Sequence, residues 1–147
     1  MRTTSERGII DTNVLVAAFD AASPEHLACR RLVEDAEAGR VQACLAPMVL
    51  FEFMAVVTNT KRVRTARSPV EAAALIEKIS HAIPMIHPPH DIHFRVSKLY
   101  RDVPHFSGKQ VFDLVLAITA LTNGVTGIYT YNDKDFLAVP GLEVLTP

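Results

Sequence analysis

Apolar positions along the chain fall into short runs that alternate with longer stretches at helical spacing. Gly8-Ile9-Ile10-Asp11 reads as a short buried strand, and Asn13 to Asp20 as a helix behind it. Ser23-Pro24-Glu25 predicts a helix start, with Ser as N-cap and Pro at the first helical position. That helix runs to about Ala38, and Gly39 closes it. Val41 to Leu45 is the next strand, followed by a helix from about Met48 to Lys61. Ser68-Pro69-Val70-Glu71 has capping-box spacing and starts a helix ending near His81. Pro84 to His87 reads as a brief strand, Asp91 to Val103 as a helix, and Val111 to Asn123 as a helix closed by Gly124. Ile128 to Thr130 and Leu142 to Leu145 complete the strands, with a short helical turn at Asp133 to Phe136 between them. Short strands alternating with longer helices predict an α/β fold on a mostly parallel sheet of four or five strands. Ligands bind such sheets at the carboxyl ends of the strands. Asp11 sits at one such end, and Tyr131 to Asp135 follows another.

Composition narrows the class. With 147 residues and no repeat or Gly/Ser-rich linker, residues 1–147 are expected to form one domain. Hydrophobic residues make up 49% and charged residues 21%, enough to bury a core. Formal net charge is −1, so any surface for nucleic acid must be local. Cys29 and Cys44 have no metal-ligand spacing and read as free thiols of a reducing compartment. The N-terminus Met1 to Arg7 is polar where a signal peptide needs an apolar core. The most apolar stretch, Met48 to Val57, is interrupted by Glu52 and too short to span a bilayer. A soluble, cytoplasmic protein with no membrane partner is the expectation.

Three acids stand among apolar neighbours. Asp11 follows the apolar strand, Glu52 is alone in Met48 to Val57, and Asp113 is alone in Val111 to Ile118. Isolated charges near a core cost several kcal/mol unless they are paired or hold a metal. The nearest cation along these helices, Lys109, lies at a helix start. Convergence on one divalent cation accounts for all three. Oxygen donors suit Mg²⁺ or Mn²⁺, which take a few carboxylates and keep several waters.

The same residues resemble a known family. Asp11-Thr12-Asn13-Val14-Leu15 after an apolar strand is similar to the opening motif of PIN domains. Pro47-Met48-Val49-Leu50-Phe51-Glu52 resembles the second motif, and Phe112 to Ala120 followed by Gly124 the third. Thr130-Tyr131-Asn132-Asp133-Lys134-Asp135-Phe136 resembles the fourth. The resemblance implies a three-layer sandwich with helices on both faces of the sheet. It implies a Mg²⁺- or Mn²⁺-dependent endoribonuclease, most often the toxin of a VapC-type toxin–antitoxin pair. Such toxins usually form homodimers and are held inactive by an antitoxin segment reaching the acidic site. Asp11 and Asp113 are the implied metal ligands, with Glu52 and one fourth-motif side chain completing the catalytic cluster. Asn132, Asp133 and Asp135 compete for that last position. Thr12, Asn13, Thr130 and Asn132 would orient the acids by hydrogen bonds. The metal would polarise the scissile phosphate and activate a water.

Other signals carry less. Lys61, Arg62, Arg64 and Arg67 form the one basic run, either a solvated loop or a phosphate-contacting one. His87, His90 and His93 lack a thiol or a further helical ligand for zinc, and His105 and Ser107 precede the Asp113 helix. No Gly-rich nucleotide loop or nucleophile elbow is present. An aspartyl-nucleophile phosphatase would want a second Asp where Asn13 stands. The alternatives that remain are a stand-alone RNA-processing PIN nuclease and a non-catalytic RNA-binding PIN module; three retained acids weigh against the latter. A partner's Arg would satisfy the acidic pocket, with the Asp20 to Pro24 turn and the Met48 to Val57 helix lining its approach.

Overall fold

The structure is a computed structural model that describes residues 7–103 and 105–147. The polar segment Met1 to Glu6 lies outside them. Four strands form one sheet: β1 (Gly8–Ile10), β2 (Ala43–Cys44), β3 (Gly127–Tyr129) and β4 (Glu143–Leu145). Their order is β2-β1-β3-β4, and every pair is parallel. The strands are short, but β1 and β3 are wholly buried, with Ile9, Ile10 and Ile128 fully enclosed. Burial on both faces is what a parallel sheet requires, and it explains why these strands read as continuous apolar runs.

Helices cover the sheet. α1 (Thr12–Phe19), α2 (His26–Glu37), α3 (Pro47–Val57) and α4 (Pro69–Ala82) pack on one another. α5 (Ile92–Asp102), α6 (Gln110–Thr122) and α7 (Asp133–Leu137) form a second group, which contacts β3 and β4. The Ser68 capping box is present: its hydroxyl accepts from the Glu71 N–H, and the Glu71 carboxylate accepts from the Ser68 N–H. Gly39 and Gly124 follow α2 and α6 with φ of 72° and 71°, the left-handed helix stop that favours glycine.

Several elements differ from the expectation, and β2 keeps only Ala43–Cys44 of the expected Val41 to Leu45. α2 begins at His26, not at Ser23. The Ser23 hydroxyl instead bonds locally, accepting from the Glu25 N–H at 3.3 Å and donating to the Glu25 carboxylate at 2.9 Å. Such local bonds compete with helix formation. α3 stops at Val57, four residues before Lys61, because Asn59 turns the chain by accepting from the Lys61 N–H. Pro84 to His87 forms no strand; Met85 makes a single parallel bridge with Leu45.

The strand order reverses at the centre. From β1 the chain crosses to β2 on one side, whereas from β3 it moves to β4 on the other. The crevice beyond the carboxyl ends of β1 and β3 is therefore the switch point where α/β sheets bind ligands. Register fixes what stands there. Ile10 pairs with Tyr129, so Asp11 and Thr130 emerge side by side.

Close approach of β1 and β3 depends on small residues. Gly8 pairs with Gly127, and a Cβ on Gly8 would stand 2.5 Å from Cε2 of Tyr129. Gly8→Ala should cost about 1–3 kcal/mol of stability, the usual range for overpacking. Urea denaturation checks this, and a midpoint unchanged from wild type would contradict it.

Candidate active site

Four acids reach the switch point from four elements. Asp11 ends β1 and caps α1, Glu52 lies midway along α3, Asp113 is in the first turn of α6, and Asp135 belongs to α7. All four line one open pocket of about 800 Å³.

Asp11 is the most constrained, with 7% of its surface exposed. Its Oδ1 accepts from the Thr12 N–H at 2.7 Å; its Oδ2 accepts from the Thr130 hydroxyl at 2.7 Å and from Asn13 Nδ2 at 3.3 Å. Burial pushes its pKa up, opposed by the bonds from Thr130 and Thr12, with the charges of Glu52 and Asp135 adding to the rise. The Thr12 hydroxyl donates to Glu52 Oε2 at 2.7 Å, tying α3 to the end of β1.

Asp113 and Asp135 form the other half. Asn132 Nδ2 donates to Asp135 Oδ2 at 2.7 Å and lies 3.5 Å from Asp113 Oδ2. Gln110 Nε2 donates to Asp135 Oδ1 at 2.9 Å. These bonds, Gln110 foremost, hold the Asp135 pKa down. Asp113 moves the opposite way, pushed up to about 7 by burial first, then by its hydrogen bond with Asp135 and the charges of Asp11, Asp135 and Glu52. Crowded carboxylates cannot all ionise without a counter-charge.

That crowding bears on whether a metal fits. The donors are all carboxylate oxygens, the set that hard divalent cations take. Among the described residues, no three of these side chains stand as a ready-made cage. Mg²⁺ needs no such cage, since one or two carboxylates suffice and waters fill the remaining positions. The residues present fit that ion.

Each residue singled out in the sequence has a place. Thr12, Asn13, Thr130 and Asn132 all hydrogen-bond to the acids. Of the three competing fourth-motif side chains, Asp135 lines the pocket as an acid and Asn132 as a donor. Asp133 does not line it and is exposed at the start of α7. Arg62 lines the pocket, while Lys61 and Arg64 are exposed elsewhere. Arg67 is spent differently: Nη2 donates to the Phe19 carbonyl at 3.0 Å, so it anchors the end of α1. Asp20 and Ser23 of the turn, and Ala55 and Val56 of α3, also line the pocket. Lys109 does too, so cations stand nearer the acids than their spacing along the chain indicates. Cys29 and Cys44 are buried free thiols, and no His cluster suited to a metal occurs among the described residues.

Gln110 escaped the sequence reading because a polar residue at a helix start resembles an ordinary cap. Its Oε1 accepts from the Ser107 N–H at 2.9 Å in the turn before α6, while its other end reaches α7. Phe112 and Tyr131 also line the pocket, and neither was singled out in the sequence.

The PIN domain profile matches residues 9–142, a span containing all of these acids. The chain belongs to the PIN domain family. No curated protein is similar enough in sequence to match it. Solved structures share the fold of this PIN domain at low identity. The VapC20 toxin of Mycobacterium tuberculosis, described as cleaving the sarcin-ricin loop, is 19% identical, with 95% of this chain and 98% of that one covered and a TM-score of 0.68. VapBC2 of Rickettsia felis, bound to a DNA fragment from its promoter, is 17% identical, with 96% and 98% covered and a TM-score of 0.67. A toxin–antitoxin complex from Klebsiella pneumoniae is 21% identical, with 95% and 97% covered and a TM-score of 0.62.

The raised pKa of Asp113 has a measurable consequence. Its folded value, about 7, lies above the ordinary 3.8, so between these pH values the folded protein binds more protons than the unfolded chain. Stability should therefore fall as pH rises from about 4 to 7. Asp113→Asn should flatten this dependence and raise the metal-free melting temperature by roughly 3 °C or more at pH 7.5. Calorimetry with chelator across that range checks it; parallel pH curves for the two proteins would contradict it.

Proposed function

We propose that this PIN domain is a Mg²⁺- or Mn²⁺-dependent endoribonuclease, the toxin of a VapBC-type pair. One observation carries the reading: Asp11, Glu52, Asp113 and Asp135, from four separate elements, line a single pocket at the switch point of the sheet. Family membership over residues 9–142 supports nuclease chemistry, and the VapC toxin and VapBC complex among the fold neighbours support the toxin assignment.

Asp11 and Asp113 are the side chains assigned to hold the cation, with Asp135 completing the negative cradle. When bound, a divalent ion supplies charge to polarise the phosphate and lowers the pKa of an attacking water. The protein supplies position. Thr130, Asn13 and the Thr12 N–H fix both oxygens of Asp11, limiting the reorganisation needed at the moment of reaction. Glu52, tethered through Oε2 by Thr12, is the remaining acceptor for the water's proton. Gln110 and Asn132 clamp Asp135 from both sides beside Asp113. Arg62 and Lys109 on the walls offer the backbone contacts that give RNA non-specific affinity.

A cognate antitoxin and a homodimer belong to this reading. Acids that form no ion pair among the described residues suit an Arg brought in by a partner, since its planar donors pair with carboxylates. The exposed Ala55 beside Glu52 offers apolar contact around it. No helix among the described residues is long and apolar enough to cross a membrane.

Purified protein should cut RNA with Mg²⁺ or Mn²⁺ and stop with EDTA. Asp11→Asn should lower the rate by about 10²-fold or more while the protein stays folded. Cleavage persisting in chelator, or an Asn variant as fast as wild type, would overturn the mechanism. Light scattering and co-purification with the product of a neighbouring reading frame test the dimer and the antitoxin. A monomer with no such neighbour favours a stand-alone RNA-processing nuclease.

The basic residues should separate into two behaviours. Arg62→Gln should weaken RNA binding and reduce its salt slope by about one charge without altering the melting temperature. Arg67→Gln should instead cost about 1–3 kcal/mol of stability, because the Phe19 carbonyl loses its charged donor. Binding titrations at several salt concentrations and parallel melts decide it, and the same response in both variants would contradict it.

A further inference from the structure

We propose that Phe112 and Tyr131 form a stacking platform for the bases flanking the scissile phosphate. The proposal rests on the ribonuclease reading and adds two residues that position the substrate.

Among the described residues, seven large hydrophobic side chains are exposed, and only Phe112 and Tyr131 line the acidic pocket. Both are aromatic. Phe112 is 53% exposed in the first turn of α6, and Tyr131 is 40% exposed. Each is joined to the catalytic cluster by its own backbone. Phe112 immediately precedes Asp113, and Tyr131 lies between Thr130 and Asn132. A ring at either position therefore has a fixed relation to the acids that would hold the reacting phosphate.

Tyr131 is also held at both ends. Its N–H donates to Asn13 Oδ1 at 3.3 Å, and the Cys29 thiol donates to its phenol oxygen at 3.6 Å. A ring positioned in advance loses little freedom when a base stacks on it. The pocket thus combines acids that suit a cation, Arg62 and Lys109 that suit phosphates, and two aromatic faces that suit bases. This is how single-stranded nucleic acid is bound. In a duplex the bases stack on one another and their faces are unavailable to side chains. Stacking is also tolerant of sequence, because every base presents a π face.

The test uses an end-labelled single-stranded RNA oligonucleotide with its cut site mapped in Mg²⁺, the same strand annealed to its complement, and versions with an abasic nucleotide on either side of the cut. Wild-type protein should cut the single strand, leave the duplex nearly intact, and lose roughly tenfold in kcat/KM for each abasic position. Phe112→Ala and Tyr131→Ala should each show a similar loss, and the matching abasic substitution should then cost nothing further. Phe112→Tyr, which keeps a π face, should still bind the flanking base, whereas Phe112→Leu, which keeps bulk without one, should not. Binding is read separately, from quenching of a 2-aminopurine base beside the cut, which should disappear in the Ala variants. Equal cutting of duplex and single strand, or an abasic penalty unchanged in both Ala variants, would overturn the platform. It falls too if the Ala variants cut and quench normally but no longer hold the antitoxin, since the rings would then serve a protein partner. Wild-type quenching without any cleavage would overturn the ribonuclease reading and leave the platform standing.

Discussion

Everything at this site depends on the parallel register between β1 and β3. It places Asp11 beside Thr130, whose 2.7 Å hydrogen bond joins residues 119 positions apart. From that pair the bonds extend outward. Asn13 bonds to both members, Thr12 carries the connection to Glu52, and the chain leaving Thr130 brings Asn132 to Asp135 and Asp113. A slip of one residue would turn Asp11 to the opposite face of the sheet and dissolve the cluster. The glycine pair at Gly8 and Gly127 serves the same register, because a side chain at Gly8 would push against Tyr129.

The acids stand in a shared tension that the core must outweigh. Burial and mutual repulsion raise the pKa of Asp113 and Asp11, while Gln110 and Asn132 keep that of Asp135 low. Such asymmetry is common where a site is arranged for chemistry at the expense of local stability. The fold can bear it because the cluster stands at the sheet's rim, while the enclosed residues beneath, including Ile9, Ile10, Leu114 and Ile128, are apolar.

Much of this was legible before any coordinates. β1 and β3 were plain because a parallel strand covered on both faces is apolar throughout, and the helix from Ser68 was announced by its capping box. Asp11, Glu52 and Asp113 drew notice because a charge inside an apolar run calls for a reason. Tertiary information was what the sequence lacked. Choosing Asp135 over Asp133 requires the orientation of a five-residue helix, too short for periodicity to reveal. Arg67 belongs to the basic run along the chain, but its partner, the Phe19 carbonyl, lies 48 positions away. Ser23 has the composition of a helix cap, yet its hydroxyl is taken by a neighbour two residues on.

The separation of Asp11 from Thr130 also has a meaning in time. Asp11 is synthesised early and its hydroxyl partner 119 residues later. At ordinary rates of translation that interval is on the order of ten seconds, and only then can β3 pair along the free edge of β1. A growing chain that has not yet passed α7 lacks Asp135 and holds Asp11, Glu52 and Asp113 without joining them. Whatever the assembled pocket does, such a chain lacks the geometry to do it, so the pocket arises in one step, once β3 has paired with β1 and α7 has followed.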